Sequence, residues 1–254
     1  AKLKYDEFKL DQSVYVIADE QNYHLQVLKL IMKKLGEPCA DGIYHLSYGM
    51  VELPTGKMKS REGTVVDADD IVDEMEKVAA EKTKALGKVE DFSADELAAL
   101  YQTIGLGALK FFLLRVDPKK KMIFNPEESI DFHGFTAPFI QFNYARIRSI
   151  LRKQEMPVAA QPSAGLLPLE RELVVTLEKY PAQIKQAAQE LNPSVIAIYS
   201  YQLAKTFSSF YAEHSIAQAE SDEKKLLRLQ LSQLTASVIQ HSMQLLGIRV
   251  PEQM

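Results

Sequence analysis

Segment 56–63, GKMKSREG, places three cations on alternate positions between two glycines. Glycine gives the backbone the freedom that a mobile loop needs, and lysine and arginine neutralise the charge of a polyphosphate. The segment therefore predicts a mobile positive loop that closes over a phosphate-bearing ligand. On charge alone, a solvated surface turn accounts for it equally well.

A second group of cations occupies segment 146–153, RIRSILRK, which has four cations and no acid. Phe139, Phe142 and Arg146 have i, i+3 and i+7 spacing and share one helix face, and a neighbouring stripe contains Tyr144, Arg148 and Arg152. Aromatic rings stack on unstacked RNA bases while guanidinium groups bind phosphates, so these faces predict an RNA contact. An aromatic pair at this spacing is also typical of a helix packed into a core.

The composition bounds the class of protein. The 254 residues are 46% hydrophobic and 25% charged, which is globular and excludes a disordered or fibrous chain. No apolar run approaches the roughly 18 residues of a membrane span, and the N-terminus lacks the apolar core of a secretory signal. One cysteine and five scattered histidines predict no metal site. We expect a soluble, cytoplasmic protein without a membrane partner, and the net charge of −4 confines nucleic-acid binding to a local patch.

The first loop must be positioned by the segments that precede it. Segment 14–19, VYVIAD, predicts a buried strand, residues 25–35 have helical spacing that ends at Gly36, and segment 43–53 is extended again. Two strands flanking a helix predict a parallel βαβ unit. Such a unit alone leaves a strand edge and an apolar face uncovered. Because residue 1 is also not methionine, we expect the protein to begin further upstream.

The second half of the sequence is poor in glycine, since Gly247 is the only one after residue 165, and this favours helices. Ser93 and Glu96 predict a capping box, and GLGALK at Gly105 predicts a close helix contact instead of a dinucleotide site. Segment 117–132 is predicted as a turn-rich crossing. Helices are predicted at 67–84, 93–114, 135–153, 169–178, 194–214 and 222–246. The last of these is predicted to bury Leu227, Leu231, Leu234, Val238 and Leu245.

The sequence contains, in this order, the segments DEQNYHLQVLKLIMKKLG, HLSYGMV, GKMKSREGTVV, GFTAPFIQFNYARIRSILRK and LLGIRVPEQM. Together these segments resemble the arginyl-tRNA synthetases, which are class I aminoacyl-tRNA synthetases. GKMKSREGTVV resembles the KMSKS-type loop of the class, HLSYGMV resembles the strand beside adenine, and the other three resemble further segments of the family. The resemblance runs from Asp19 to Met254.

The resemblance implies an α/β remnant of a Rossmann-type class I catalytic domain, followed by a mainly α-helical bundle that binds the anticodon. The implied boundaries are a catalytic portion at 1–66, a helical connector at 67–116 and the anticodon-binding domain at 117–254. The implied partners are ATP as a substrate with Mg²⁺, arginine, and arginine-accepting tRNA, with no resident cofactor.

The resemblance also assigns site residues. Lys57 and Arg61 would be the catalytic pair that steadies the ATP phosphates, although Ser60 stands where a second lysine often lies. The remaining ATP contacts would be His24, His45, Gly49, Met50, Val51, Met58, Lys59 and Ser60. Gln21 would face arginine or the terminal adenosine. For the two histidines, a hydrogen-bonded, half-buried side chain without a function is the alternative.

For tRNA, the resemblance implies contacts at Phe139, Phe142, Arg146, Tyr211 and Met254, beside the stripe of Tyr144, Arg148 and Arg152. Phenylalanine at the first two positions, where tyrosine is common, permits stacking but no hydroxyl bonds.

Three family features are missing from the sequence. The His-Ile-Gly-His motif and the acidic pocket for the substrate guanidinium do not occur, and LTASVIQ stands near the position of the Asp-Ala-Leu-Arg string. We therefore expect a C-terminal portion that does not activate arginine by itself. A non-catalytic, synthetase-derived RNA-binding or helical interaction module is the alternative, whereas an unrelated helical scaffold leaves GKMKSREG unexplained.

Overall fold

A computed structural model describes residues 1–52, 67–85, 92–155, 157 and 165–254. The chain divides into two compact units. The first contains Ala1–Met58 and Val116–Phe124, and the second contains Lys59–Arg115 and Asn125–Met254.

The first unit is built on a parallel βαβ arrangement. Its elements are α1 (Lys2–Phe8), β1 (Ser13–Ala18), a 3₁₀ turn (Asp19–Gln21), α2 (Asn22–Lys34), β2 (Ile43–Tyr48), β3 (Val51–Glu52) and β4 (Met122–Ile123). Strands β1 and β2 pair in parallel with Ser13 opposite Ile43, which confirms the predicted unit. Gly36 ends α2 with a φ of 68°, as expected of a glycine at a helix C-terminus.

The extended segment after Ile43 is interrupted at Gly49. The Gly49 N–H donates to the Pro118 carbonyl at 2.7 Å, and a Cβ on Gly49 would lie 2.4 Å from the Lys120 carbonyl oxygen. Beyond this close approach, Val51 of β3 pairs in parallel with Met122 of β4. The predicted extended segment is therefore divided into β2 and β3, and the predicted turn-rich segment also contains β4, which pairs with β3.

The first unit leaves apolar side chains in solvent. Met32, Ala40 and Ile43 form a small buried cluster, while Val16 on β1 is 63% exposed. This agrees with the predicted uncovered face of an isolated βαβ unit.

The second unit is a helical bundle. Its helices are α3 (Ala68–Ala85), α4 (Ala94–Leu114), α5 (Pro126–Ser129), α6 (Ala137–Lys153), α7 (Pro168–Glu178), α8 (Tyr180–Glu190), α9 (Ser194–Glu213) and α10 (Asp222–Leu245). Phe111, Tyr144, Leu173, Phe207 and Ile239 are among the side chains of its continuous core. The six predicted helices correspond to α3, α4, α6, α7, α9 and α10, whereas α5 and α8 were not predicted.

Helices α3 and α4 pack closely through a glycine. The Ser93 capping box opens α4 as predicted, and a Cβ on Gly105 would lie 2.9 Å from the Met75 carbonyl oxygen. Within the part of the chain that the structure describes, α4 is also the one helix long and apolar enough to cross a membrane by length and composition. It packs against α3 and α6 as a helix of the bundle.

The predicted buried stripe of α10 is wrong at two positions, since Leu234 and Leu245 are 51% and 52% exposed. Helix α10 packs against α6, α7 and α9. Its buried band is therefore wider than one stripe and includes Leu226, Leu229 and Met243.

Candidate nucleic-acid interface

Helix α6 is oriented by its first turn. Thr136 is the N-cap, and its hydroxyl accepts from the Phe139 N–H at 3.4 Å and donates to the Asp131 carbonyl. Pro138 lies in the first turn, where the missing N–H costs nothing. The start of α6 fixes which of its following side chains face α9.

An open pocket of about 1140 Å³ lies beside α6 and α9, and we call it the α6–α9 pocket. Five of the eight predicted RNA contacts line it, namely Phe142, Arg146, Arg152, Tyr211 and Met254. They come from α6, from α9 and from the C-terminal residues, so that three separate parts of the second unit build one concave surface.

Arg146 lies against two aromatic rings of the pocket. Its guanidinium carbon is 4.7 Å from the centre of the Phe142 ring and 5.6 Å from that of Tyr211. Burial lowers the pKa of Arg146 from its ordinary value of 12.5, yet a guanidinium keeps its proton at neutral pH. Among the described residues, no carboxylate forms an ion pair with Arg146. The pocket therefore presents a partly desolvated cation whose charge is available to a ligand.

Two predicted RNA contacts lie in the core of the bundle instead of the pocket. Phe139 is partly buried, with its ring centre 5.3 Å from that of Tyr201. Tyr144 is 1% exposed, and its hydroxyl donates to Glu252 Oε1 at 2.8 Å. Burial, with the hydrogen bond to Glu252, raises the pKa of Tyr144 to about 12. Contact with RNA would require these packed side chains to move.

Arg148 and Arg152 already have an anionic partner. Arg148 Nε lies 2.7 Å from Glu252 Oε2, and Arg152 Nη1 lies 3.6 Å from the same oxygen. Burial would raise the pKa of Glu252, but Arg148 and Tyr144 lower it below its ordinary value. Glu252 was not predicted from the sequence, because it lies 104 residues beyond Arg148 and no local pattern links the two. The pocket residues Phe92, Ser215 and Gln253 were not predicted either.

The predicted nucleotide-side residues of the first unit lie around one edge of its sheet. Ala18 ends β1 opposite Tyr48 at the end of β2, and ligands of parallel sheets bind at the carboxyl ends of strands. Gln21 and His24 follow β1 and are exposed. Gly49 and Met50 follow β2, and Val51 begins β3.

His45 lies within β2, where its Nε2 is 2.9 Å from the Ile17 carbonyl oxygen near the end of β1. Since a carbonyl only accepts, Nε2 carries the proton. This bond agrees with the alternative of a half-buried, hydrogen-bonded histidine. The predicted catalytic pair Lys57 and Arg61, with Met58, Lys59 and Ser60, lies outside the described residues. Over the described ranges, no group of three or more His, Cys, Asp or Glu side chains could hold a metal ion.

Comparison with known proteins finds matches to one family along the chain. Residues 1–125 match the model of the class I tRNA synthetase catalytic domain of the arginine type, and residues 140–254 match that of the DALR anticodon-binding domain. The arginine–tRNA ligases of Flavobacterium psychrophilum and Amoebophilus asiaticus are 55% and 49% identical over 95% and 100% of this chain. Over nearly its whole length, the chain matches arginyl-tRNA synthetases.

Solved structures agree with these matches. Thermus thermophilus arginyl-tRNA synthetase is 26% identical, with a TM-score of 0.87 over 97% of this chain and 42% of its own. The Plasmodium falciparum enzyme, at 21% identity, shares the fold with a TM-score of 0.80. The chain spans 40% and 44% of the length of the two curated arginyl-tRNA synthetase relatives.

These matches confirm the predicted fold class, a part of a class I catalytic domain followed by a helical anticodon-binding domain. The DALR anticodon-binding domain matches although the Asp-Ala-Leu-Arg string itself does not occur in the sequence. The α6–α9 pocket is lined mainly by residues of this domain.

Proposed function

We propose that this chain is the anticodon-binding and partial ATP-binding portion of an arginine–tRNA ligase, an enzyme of the cytoplasm. Its substrates would be arginine, ATP and arginine-accepting tRNA. The observation that carries the proposal is Arg146, a partly desolvated cation between two rings in an open pocket. Rings that stack on bases, beside a guanidinium that binds phosphate, are suited to a single-stranded loop of RNA.

The predicted RNA contacts would fall into three groups. Phe142, Arg146, Tyr211 and Met254 would touch RNA directly, since they line the α6–α9 pocket. Phe139 and Tyr144 would support α6 from the core. Arg148 and Arg152 would act at the rim, where Glu252 already shares their charge.

On the ATP side, the proposal assigns Lys57 and Arg61 to the departing pyrophosphate, where fixed cations neutralise developing charge. Met58, Lys59 and Ser60 would shape a KMSKS-type loop. Gln21, His24, His45 and Gly49 are assigned to the nucleotide side of the sheet. Mg²⁺ would accompany ATP, but the described residues offer no group of three or more ligating side chains for it, and we assign it none.

We keep the proposed division at 1–66, 67–116 and 117–254. A non-catalytic RNA-binding module is the second candidate. One observation favours it, because the residues that line the pocket all belong to the second unit. Aminoacylation by a longer protein that contains this chain would exclude it.

The direct test is titration of this chain with arginine-accepting tRNA and with a non-cognate tRNA over a range of salt. We expect selective binding, and we expect Arg146→Ala to weaken cognate binding about tenfold, since it removes both the charge and the flat group between the rings. Arg146→Lys keeps the charge only and should recover part of the loss.

Arg171→Ala is the matched control, since Arg171 is exposed on α7 and does not line the pocket. It should bind as the unsubstituted chain does. Thermal unfolding of each variant separates loss of binding from loss of fold. Equal cognate affinity for the unsubstituted chain and Arg146→Ala would reject the pocket as the RNA site.

A further inference from the structure

The last eight residues, 247–254, follow α10, and we call them the terminal tail. We propose that Glu252 is a positioning residue, which holds the terminal tail on α6 so that Gln253 and Met254 lie in the α6–α9 pocket. The inference rests on the proposed function, because it concerns how the same RNA site is assembled.

The terminal tail is attached to two helices before it reaches the pocket. Lys110 Nζ of α4 donates to the Gly247 carbonyl at 2.7 Å, and Gln141 Nε2 of α6 donates to the Arg249 carbonyl at 2.8 Å. Ile248 between them is 3% exposed. These contacts fix the start of the tail but not its last residues.

Three side chains of α6 then converge on Glu252. The Tyr144 hydroxyl donates to Oε1 at 2.8 Å, and Arg148 Nε donates to Oε2 at 2.7 Å. Arg152 Nη1 donates to the backbone carbonyl of Glu252 at 3.2 Å. Since these donors are spaced by four residues on one helix, they lie along one face of α6. They therefore fix both the position of the tail along the helix axis and its direction.

The contribution of Glu252 to stability is small while its geometric effect is large. Its side chain is 52% exposed, and exposed ion pairs add little to the free energy of unfolding. Its two carboxylate oxygens nevertheless bind donors of fixed position, and the next residues, Gln253 and Met254, line the pocket. Replacing Glu252 should therefore displace Met254 without unfolding the bundle.

Glu252 also lowers the number of free cations at the pocket rim, since it shares the charge of Arg148 and Arg152. Cations that pair with a carboxylate are less available to phosphates, and attraction to phosphates does not distinguish one RNA sequence from another. Glu252 therefore favours selective over general binding in two ways, by placing Met254 and by neutralising its neighbours.

The experiment compares Glu252→Gln, Met254→Ala and the double variant with the unsubstituted chain. Glutamine keeps the size of the side chain and an oxygen for Tyr144, and removes the charge. We measure the ratio of non-cognate to cognate dissociation constants at several salt concentrations. Glu178→Gln, an exposed glutamate on α7, is the matched control.

We expect Glu252→Gln to reduce the ratio about tenfold, as expected when an interface contact is lost. The slope of log affinity against log salt should become steeper by about 1, as one further cation meets phosphate. Because Glu252 acts through Met254, the two losses should not add. The ratio for the double variant should equal that of whichever single variant has the lower ratio. Additive losses in the double variant would overturn the inference.

A second readout needs no RNA. The ¹³C-methyl NMR signal of Met254, assigned by its loss in Met254→Ala, should sharpen and move to the position of an unstructured methionine in Glu252→Gln. A Met254 signal that stays unchanged would overturn the positioning role.

Failure of the inference and failure of the proposed function give different results. If the unsubstituted chain prefers cognate tRNA and Arg146→Ala loses that preference, but Glu252→Gln keeps it, only the positioning role is rejected. If the unsubstituted chain shows no preference and Arg146→Ala changes nothing, the proposed function is rejected as well.

Discussion

Arg146 has lost part of its water but none of its charge, and two rings replace that water. A ring face attracts a cation and has no lone pairs to satisfy its N–H groups. The guanidinium edges therefore still need acceptors, which phosphate and base edges supply. The site therefore depends on Arg146, whose guanidinium contacts rings while its N–H groups stay available to a ligand.

Tyr144 gives a test in alkaline solution. Burial and the hydrogen bond to Glu252 raise its pKa from the ordinary 10.0 to about 12. The stabilisation of the folded state by the protonated Tyr144 hydroxyl is thus complete below pH 10 and is lost as the pH rises from 10 to about 12. Between pH 10 and about pH 12, the free energy of unfolding should fall by about 2 kcal/mol less in Tyr144→Phe than in the unsubstituted chain.

Urea denaturation between pH 8 and about pH 12 measures this difference. Tyr23→Phe is the control, since Tyr23 is 79% exposed. It should follow the unsubstituted chain. Parallel curves for Tyr144→Phe and the unsubstituted chain would show that the Tyr144 hydroxyl does not titrate as described.

At the scale of helices, a buried ion cluster joins α7 to α10. Glu170 and Arg228 are 0% and 1% exposed, with Arg228 Nε 3.0 Å from Glu170 Oε1 and Lys224 Nζ 2.6 Å from Oε2. Arg228 also donates to the Ser215 carbonyl at 2.6 Å. Because Ser215 lines the α6–α9 pocket, this cluster supports one wall of the candidate site.

Glu170→Gln tests the cluster in acid. Burial would raise the pKa of Glu170, but Lys224, the Leu167 N–H and Arg228 lower it below its ordinary value of 4.5. Its stabilisation is therefore present above pH 4.5 and is lost as the pH falls through the lowered pKa. At pH 7 the variant should be less stable by about 3 kcal/mol, since a buried charge loses its partner.

The stability difference between Glu170→Gln and the unsubstituted chain should shrink as the pH falls from 4.5 through the lowered pKa of Glu170, because both chains then carry a neutral side chain. Urea unfolding across this range measures it, with Glu178→Gln on the exposed side of α7 as the control. A difference that is independent of pH would mean that packing, and not charge, explains the loss.

Elements with a strong local signal were predictable from the sequence. The Ser93 capping box and the Gly36 helix end depend on neighbours within four residues. Helix α8 was not predicted, although Pro181 lies in its first turn, where proline is accepted. The pairing of β3 with β4 joins residues far apart in the chain, which no local pattern reports.

For the whole molecule, the two units should differ in local stability. The first unit has a two-stranded β1–β2 sheet, a small core of Met32, Ala40 and Ile43 and an exposed Val16. Two-stranded sheets are marginal in water. We expect the amides of β1 and β2 to exchange hydrogen with an opening free energy lower by about 2 kcal/mol than those of α6 and α9.

Hydrogen exchange followed by mass spectrometry of peptides measures both units in one sample, so that each unit is the control for the other. Equal protection of β1 and α9 would show that the small core is sufficient to hold the first unit closed.

The candidate site was predictable in its residue types but only partly in its geometry. Helical spacing brought Phe142 and Arg146 to one face, and the structure places both in the pocket. The same spacing included Phe139, which faces Tyr201 in the core. Spacing reports which residues share a face and not which helix covers that face, so Glu252 could only be found in three dimensions.

The contacts that complete α6 are made by residues synthesised much later. Gln141 and Tyr144 each bind a partner 108 residues further along the chain, and Lys110 binds one 137 residues further along. At translation rates of about 5–20 residues per second, Gln141 and Tyr144 of α6 are synthesised roughly 5–22 s before those partners. During that interval Arg148 and Arg152 lack Glu252, and the growing chain carries an unneutralised basic helix beside ribosomal RNA. Synthesis of the terminal tail thus determines when Arg148 and Arg152 gain their carboxylate partner and when Met254 completes the α6–α9 pocket.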